Sequence, residues 1–217
     1  MTYTARLISV NVGTPRSLVR DDREVSTGIF KDPVVGRVRV GTLGIAGDGQ
    51  ADLTAHGGPD KAVYAYSFAN TLHWREALGR PDLAAGAFGE NLTLDDLPDS
   101  LVALGDVLQL GDVLLQVTQP RQPCVKLAMK FDLPGLPRQF TRSGRVGFYT
   151  RVVEPGEIAA GDVLRCVVRE PDPLSIEALN RALLIERDAT HDLRRALASP
   201  SLSAAWRSEI EARLGRS

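Results

Sequence analysis

Residues 105–124 read GDVLQLGDVLLQVTQPRQPC, a stretch that combines a repeated turn signal with an unusual strand ending. The tetrapeptide Gly-Asp-Val-Leu occurs at 105–108 and 111–114, and it returns at 161–164. In each copy a glycine–aspartate turn precedes an apolar run that favours a strand. The first two copies lie too close together for a solenoid repeat. The pattern therefore predicts successive strands of a meandering β structure.

Further strand candidates lie on both sides of this stretch. They are short runs of β-branched or aromatic residues bounded by turn residues, at 6–12, 34–40, 62–66 and 146–153, and residues 113–118 form such a run within the stretch itself. One helix is expected among them, beginning after Ser67 and ending at Gly79. Residues 1–170 are thus predicted to form a mainly β domain with a helical insertion.

The composition changes after Pro171-Asp172-Pro173, and the rest of the chain reads as helix. One helix follows Ser175, a second covers about 188–198, and a third carries an apolar residue at every fourth position from Leu202 to Leu214. Residues 173–217 are therefore predicted to form a small three-helix bundle. Three short helices bury little surface alone, so we expect them to dock on the β domain or on a neighbouring subunit.

The overall composition is that of an ordinary globular protein. The 217 residues carry a formal net charge of −1, so no basic surplus points to nucleic acid or to an anionic membrane. The first residues have neither the basic nor the long apolar region of a secretory signal, and no apolar run is long enough to span a bilayer. We therefore expect a cytoplasmic protein whose two cysteines stay reduced.

The segment QPRQPC, residues 119–124, raises the question of what Cys124 does. Its two prolines lack backbone donors and fix φ, which predicts a rigid, irregular exit from the preceding strand rather than a central strand. Arg121 and Lys126 flank the cysteine, and positive charges favour a thiolate, the form that binds soft metals or attacks electrophiles. A buried, inert thiol is the alternative. Cys166 lies in a plain apolar strand, where core packing is expected.

Two glycine-rich motifs could supply polar groups to a ligand. In HGGPDK, residues 56–61, the flexible backbone could direct His56 and Lys61 into one concavity, although a surface loop would have the same composition. In FGENLT, residues 88–93, Glu90 and Asn91 could offer an acceptor and an amide to a heterocycle, or could simply form a turn.

Arginines near glycines form a third candidate group. Arg142, Arg145 and Arg151 surround two glycine-containing turns, and an arginine in such a place can grip a phosphate with two hydrogen bonds. For Arg142 and Arg145 a solvated basic loop explains the pattern equally well.

Taken in order, these motifs resemble the MOSC domain, and more closely its bacterial YiiM-type subgroup. The resemblance rests on GDGQADLTAHGGPDKAV (47–63), FGENL (88–92), GDVLQLGDVLLQVTQPRQPCVKL (105–127), SGRVGFYTRVV (143–153) and GEIAAGDVL (156–164). It covers nearly the whole chain. It implies a mainly β fold, with a MOSC-type β-barrel core and helical insertions in residues 1–170, followed by the C-terminal three-helix domain at 173–217.

The resemblance also implies a cofactor and an activity. MOSC domains are associated with the molybdenum cofactor (molybdopterin), which carries a terminal phosphate, and YiiM-type proteins are linked to reduction of N-hydroxylated compounds such as hydroxylaminopurine base analogues. By resemblance Cys124 would be the molybdenum ligand. The cofactor pocket would be lined by His56, Lys61, Asn91, Gln119, Arg121 and Lys126, with Arg142 and Arg151 as further candidates.

The reaction needs electrons, and the sequence shows no flavin, nicotinamide or iron–sulfur signature, so an external electron-donor reductase is the expected partner. No pyridoxal-phosphate domain precedes the MOSC region, so we do not expect this chain to mobilise sulfur from cysteine by itself. A homodimer is plausible.

Two other functions stay open on sequence. The chain could be a non-catalytic carrier that binds the cofactor, or sulfur on Cys124, and delivers it. It could also act without a cofactor, with Cys124 as nucleophile and His56 as base.

Overall fold

The computed structural model describes residues 2–20, 23–51, 57–186 and 188–215. Its strands are β1 Thr4–Val12, β2 Arg16–Arg20, β3 Arg23–Thr27, β4 Asp32–Pro33, β5 Val38–Gly41, β6 Gly44–Ile45, β7 Val63–Ser67, β8 Leu92–Leu94, β9 Val107–Leu110, β10 Val113–Pro120, β11 Phe148–Glu154, β12 Gly156–Ile158 and β13 Val163–Val168. Its helices are α1 Phe68–Leu78, α2 Val125–Phe131, α3 Leu136–Ser143, α4 Ile176–Leu184, α5 Thr190–Ala198 and α6 Ala204–Leu214, and a 3-10 turn covers Pro59–Lys61.

Seven strands form a closed barrel in the order β13-β9-β10-β11-β7-β8-β1, and β1 pairs with β13 to close it. Neighbouring strands are antiparallel except for the parallel pair of β7 and β8, which α1 and the following loop connect. The strand β4 extends this sheet beside β1, while β2 and β3 form a separate hairpin and β5, β6 and β12 a small side sheet. The predicted mainly β fold with a barrel core and helical insertions is confirmed.

The Gly-Asp-Val repeats act as the strand starts that the sequence predicts. The strands β9, β10 and β13 each begin at the valine of one copy. The preceding glycines, Gly105, Gly111 and Gly161, have φ values of 85°, 56° and 97°. Glycine adopts this left-handed region without the steric cost that a side chain would add, so each copy can reverse the chain tightly.

Two departures from prediction shape the region around Cys124. The strand β10 continues through Gln119 and Pro120, which pair with Tyr149 and Phe148 of β11. On its other side β9 pairs only as far as Gln116, so the missing proline N–H removes no ladder bond there. The expectation that the strand ends at residue 118 was therefore wrong.

The helices α2 and α3 were also not predicted. They are seven and eight residues long, too short for a clear periodic pattern. The helix α3 contributes Phe140 to an aromatic layer over the barrel, where its ring lies 5.5 Å from Trp74 and 5.4 Å from Phe88. The predicted strand at 34–40 forms only from Val38, and Val35 is 98% exposed.

The three C-terminal helices have their own apolar cluster, which includes Leu179, Leu193, Trp206 and Ile210. The hydroxyl groups of Ser175 and Ser203 cap α4 and α6 by accepting backbone N–H groups. These helices contact the barrel, since the N–H of Ser203 donates to the carbonyl of Thr118 at 3.2 Å. The division into domains at about residue 170 stays a prediction. Among the described residues, no helix is long and apolar enough to cross a membrane.

Candidate functional site

A cleft beside the end of β10 gathers most of the residues that the sequence singled out. Five of the predicted site residues line it, namely Lys61, Asn91, Arg121, Cys124 and Lys126. His56 lies outside the described residues. Other parts of the lining come from residues 27–29 and 48–51, together with Lys31, Tyr64, Phe88 and Tyr149.

Cys124 lies where the chain leaves the barrel and begins α2. It is the residue before the first helical turn, with extended φ and ψ angles of −127° and −176°, and it is partly exposed. Its carbonyl accepts the N–H of Leu127 at 3.0 Å, which fixes the backbone at the start of the helix. The side chain makes no capping hydrogen bond to the helix. The thiol therefore belongs to the cleft surface rather than to the barrel core.

Arg121 is the most constrained cation of the cleft. It is only 6% exposed, and its guanidinium carbon lies 5.0 Å from the ring centre of Tyr64 and 5.2 Å from that of Phe140. Burial opposes the charged form, but the nearby Tyr64, Tyr149 and Cys124 raise the pKa of Arg121 overall, so it stays charged. Its Nη1 atom has no hydrogen-bond partner among the described residues. A buried cation with an unused donor is suited to an anionic ligand.

The backbone at Arg121 is anchored through a buried carboxylate. The N–H of Arg121 donates to the carbonyl of Gly147 at 3.1 Å. The N–H groups of Val146 and Gly147 in turn donate to Asp99 at 2.9 and 2.6 Å. Burial raises the pKa of Asp99 to about 6. Asp99 thus fixes the loop at residues 146–147 to which the backbone of Arg121 is bonded.

Asp48 connects several segments in another wall of the cleft. Its carboxylate forms an ion pair with Lys31 and accepts the N–H of Gly13 at 2.9 Å and the amide of Asn91 at 2.8 Å. Burial lowers the pKa of Lys31 against the opposing effect of Asp48. The negative charge of Asp48 is therefore balanced within the wall.

Asn91 lines the cleft, but its amide is engaged by the protein. Its oxygen accepts the N–H of Tyr64 at 3.1 Å, and its NH2 group donates to the carbonyl of Asn11 and to Asp48. These bonds connect three segments of the wall. The geometry gives Asn91 a structural task in addition to any contact with a ligand.

Glu90 does not offer its carboxylate to the cleft. It is fully buried and accepts the N–H groups of Gly86 and Phe88 at 2.7 and 3.0 Å, and burial raises its pKa. Lys130 holds the same turn by donating to the carbonyls of Ala87 and Ile29 at 2.6 and 3.0 Å. The alternative of a turn-forming role for Glu90 is the one that the geometry supports.

The loop that carries Lys61 is tied down by Gln50. The Gln50 side chain accepts the N–H of Gly58 at 2.9 Å and donates to the carbonyl of Lys61 at 3.3 Å. The two ends of the turn are thus connected through one amide. Lys126, on the first turn of α2, completes the cationic rim and is partly exposed.

Several predicted residues lie away from the cleft. Gln119 is buried in β10, and its Oε1 atom has no hydrogen-bond partner among the described residues. Arg142 lines a separate groove with Gln122 and Pro123. Arg145 donates to Asn70 at 2.9 Å, while Arg151 pairs with Asp60 at 2.8 Å.

The lining residues that were not selected from the sequence include Lys31, Asp48, Tyr64 and Tyr149. Asp48 and Tyr149 lie inside the quoted motifs, so the resemblance contained a signal for both. Lys31 belongs to none of those motifs, and only the fold brings it to the cleft.

Comparisons with known proteins agree with this architecture. The sequence profile described as the MOSC domain matches residues 52–165. The "Uncharacterized protein YflK" of Bacillus subtilis is 40% identical over 204 residues, which cover 94% of this chain and 92% of that protein. The crystal structure of YiiM from Geobacillus stearothermophilus superposes with a TM-score of 0.82 at 41% identity, covering 97% of this chain and 99% of that one.

A fungal relative is built differently. A protein of Gibberella moniliformis named "Reductase" is 36% identical over 163 residues, which cover 74% of this chain but only 29% of the fungal protein. Most of the fungal protein thus lies outside the matched region.

Proposed function

The chain belongs to the MOSC domain family, and on that basis we propose that it is an oxidoreductase that binds the molybdenum cofactor and reduces N-hydroxylated compounds. Family membership supports a function associated with this cofactor, and the name of the fungal relative, "Reductase", supports redox chemistry. The observation that carries the proposal is the cleft that combines Cys124 with the cationic side chains of Lys61, Arg121 and Lys126.

The residues present fit the cofactor. The unused buried donor of Arg121 suits an anion such as the terminal phosphate of the cofactor, and Lys61 and Lys126 add positive charge to the same cleft. The carboxylate of Asp48 is already paired with Lys31 and so does not oppose an anion. Cys124 would supply a soft thiolate, which suits molybdenum in a sulfur-rich environment. These residues would hold the cofactor.

When bound, the cofactor would supply two-electron chemistry at its molybdenum. Reduction of an N-hydroxyl group consumes two electrons and two protons, breaks the N–O bond and releases water. Tyr149 lines the cleft as a proton donor within the proposal, and burial raises its pKa, which keeps its hydroxyl protonated at neutral pH. The electrons would come from an external donor reductase.

An aromatic side chain at the cleft supports a planar substrate. Tyr149 is partly exposed in the cleft, whereas Tyr64 and Phe88 are buried in its wall. The Tyr149 ring can stack with a flat heterocycle, which favours hydroxylaminopurine-type bases over aliphatic hydroxylamines.

Metal analysis of protein made in a host that synthesises the cofactor tests the proposal first. We expect molybdenum in the purified protein and reduction of 6-hydroxylaminopurine with reduced methyl viologen as the donor. A Cys124→Ser variant should lose molybdenum, and a Cys166→Ser variant serves as the matched control. Equal molybdenum in wild type and Cys124→Ser would refute the role of Cys124 as ligand.

The same experiment separates an enzyme from a carrier. A carrier would contain molybdenum but would show no turnover with any N-hydroxylated substrate or donor. That outcome would replace the proposed reductase with cofactor delivery.

A further inference from the structure

The C-terminal helices contact two of the segments that supply cleft residues, the turn at 59–61 and the end of β10. The connection between α5 and α6 covers residues 199–203, and its Ser203 N–H donates to Thr118, the residue before Gln119. At the start of α6, the N–H of Ala204 donates to the carboxylate of Asp60 at 3.1 Å. Asp60 directly precedes Lys61. The C-terminal helices, α4 to α6, which are called the helical unit below, therefore contact both of these segments.

Asp60 is the centre of this contact. One carboxylate oxygen accepts a hydrogen bond from Nε of Arg151 at 3.1 Å and lies 2.8 Å from Nη2 of the same residue. The other oxygen accepts the backbone N–H of Ala204. Arg151 also donates to the carbonyl of Ser201 at 3.0 Å. The backbone carbonyl of Asp60 accepts the buried hydroxyl of Thr118 at 2.7 Å. Each polar group of Asp60 that accepts hydrogen bonds is thus engaged by the barrel or the helices.

Asp60 and Lys61 lie in one short turn, but their side chains contact different parts of the protein. The turn spans Pro59–Lys61, and within it Lys61 lines the cleft while Asp60 binds the helical unit. On the cleft side Gln50 fixes the ends of the turn. On the opposite side Asp60 fixes its middle. A 3-10 turn of three residues has little internal hydrogen bonding, so external contacts determine its position.

We propose that Asp60 is a positioning residue through which the C-terminal helices hold Lys61 in the cleft. The inference rests on the proposed function, because it gives Lys61 a task in cofactor retention. An arginine pair with a carboxylate fixes direction as well as distance, and a carboxylate next to the first N–H group of a helix is favoured by the helix dipole. The C-terminal helices would thus fix the position of Lys61 through Asp60, without contributing a residue to the cleft beside Lys61.

A double-mutant cycle with Asp60→Asn and Lys61→Met tests the coupling. The measurement is the half-time of molybdenum loss from purified holoprotein after buffer exchange. Asp60→Asn keeps the side-chain shape and should speed the loss roughly fivefold, because it removes the charge that holds Arg151 and the α6 terminus. The double variant should lose molybdenum no faster than Lys61→Met alone. A purely structural Asp60 would make the two effects additive and would overturn the proposal.

Two further variants keep the result interpretable. Arg151→Gln removes the partner of Asp60 and should reproduce the effect of Asp60→Asn. Asp172→Asn is the matched control, because Asp172 pairs with Arg195 at 2.7 Å on the helical unit, away from both cleft segments. An effect of Asp172→Asn as large as that of Asp60→Asn would contradict the proposed route.

Hydrogen exchange measured by mass spectrometry tests the positioning without the cofactor. Asp60→Asn should raise exchange at residues 58–61 while β7 and β10 keep wild-type protection. If wild-type protein contains no molybdenum, the proposed function fails, and hydrogen exchange alone decides the positioning. Unchanged exchange at 58–61 would then refute it.

Discussion

The two cysteines occupy regions that differ in every property that governs a thiol. Cys166 lies in the middle of β13, opposite Leu108 of β9, and is 3% exposed. Burial and the nearby Asp106 raise its pKa. Cys124 lies at the start of α2, partly exposed, in a cleft that it shares with Arg121 and Lys126. The two cysteines therefore differ in burial and in the charged groups near the thiol, and both properties govern thiol reactivity.

The largest expected difference between the two regions is in catalysis. With 6-hydroxylaminopurine and reduced methyl viologen, Cys124→Ala should lower the turnover number by at least about 100-fold, because it removes the proposed metal ligand. Cys166→Ala should stay within about twofold of wild type, since Cys166 lies in β13 and does not line the cleft. Comparable losses in both variants would remove the functional distinction between the cysteines.

Native thiol reactivity should separate the regions by a smaller factor. At pH 8, iodoacetamide should modify Cys124 at least about 10-fold faster than Cys166 in protein without cofactor. The raised pKa keeps Cys166 protonated at this pH, and its burial blocks the reagent. Peptide mass spectrometry after timed quenching measures both rates. Faster labelling of Cys166 would contradict its placement in the barrel core.

Stability should show the opposite ranking. Cys166→Ala leaves a gap in the barrel core and should lower the free energy of unfolding by about 1 kcal/mol, whereas Cys124→Ala should change it by less than about 0.5 kcal/mol. Urea unfolding of both variants measures the two values. A larger loss for Cys124→Ala would place that residue in the core.

The smallest effect concerns the charge beside Cys124. Arg121→Gln should slow alkylation of Cys124 about threefold, because the guanidinium no longer stabilises the thiolate. Arg121→Lys keeps the positive charge and should restore most of the rate. Alkylation of Cys166 serves as the internal control and should not change. Equal rates in wild type and Arg121→Gln would show that this charge does not act on the thiol.

The sequence predicted the barrel region better than the region around the cleft. The Gly-Asp-Val turns and the alternating strands depend on local chemistry, and β9, β10 and β13 begin where those turns place them. The helices α2 and α3 are too short for a periodic signal. Pro120 misled the prediction because its place in a strand depends on where the neighbouring strand β9 ends, which is a property of the assembled sheet.

The residues of the candidate site were predicted from sequence motifs, and their arrangement in space was not predicted. Lys61, Arg121, Cys124 and Lys126 were identified and do meet at one cleft. Lys31 was missed because its position depends on an ion pair with Asp48 that only the fold creates. Arg151 was considered for phosphate binding, and its pairing with Asp60 depends on the docked C-terminal helices.

The closure of the barrel has a consequence for how the protein folds. The first strand of the barrel pairs with the last, so Thr4 must meet Arg165 before the sheet is complete. Contacts between residues so distant in the chain are costly in loop-closure entropy and slow the folding of β proteins. During synthesis on the ribosome, the edge of β1 that pairs with β13 stays unpaired until β13 has been made. The barrel that supports the cleft can therefore close only after β13 has been synthesised.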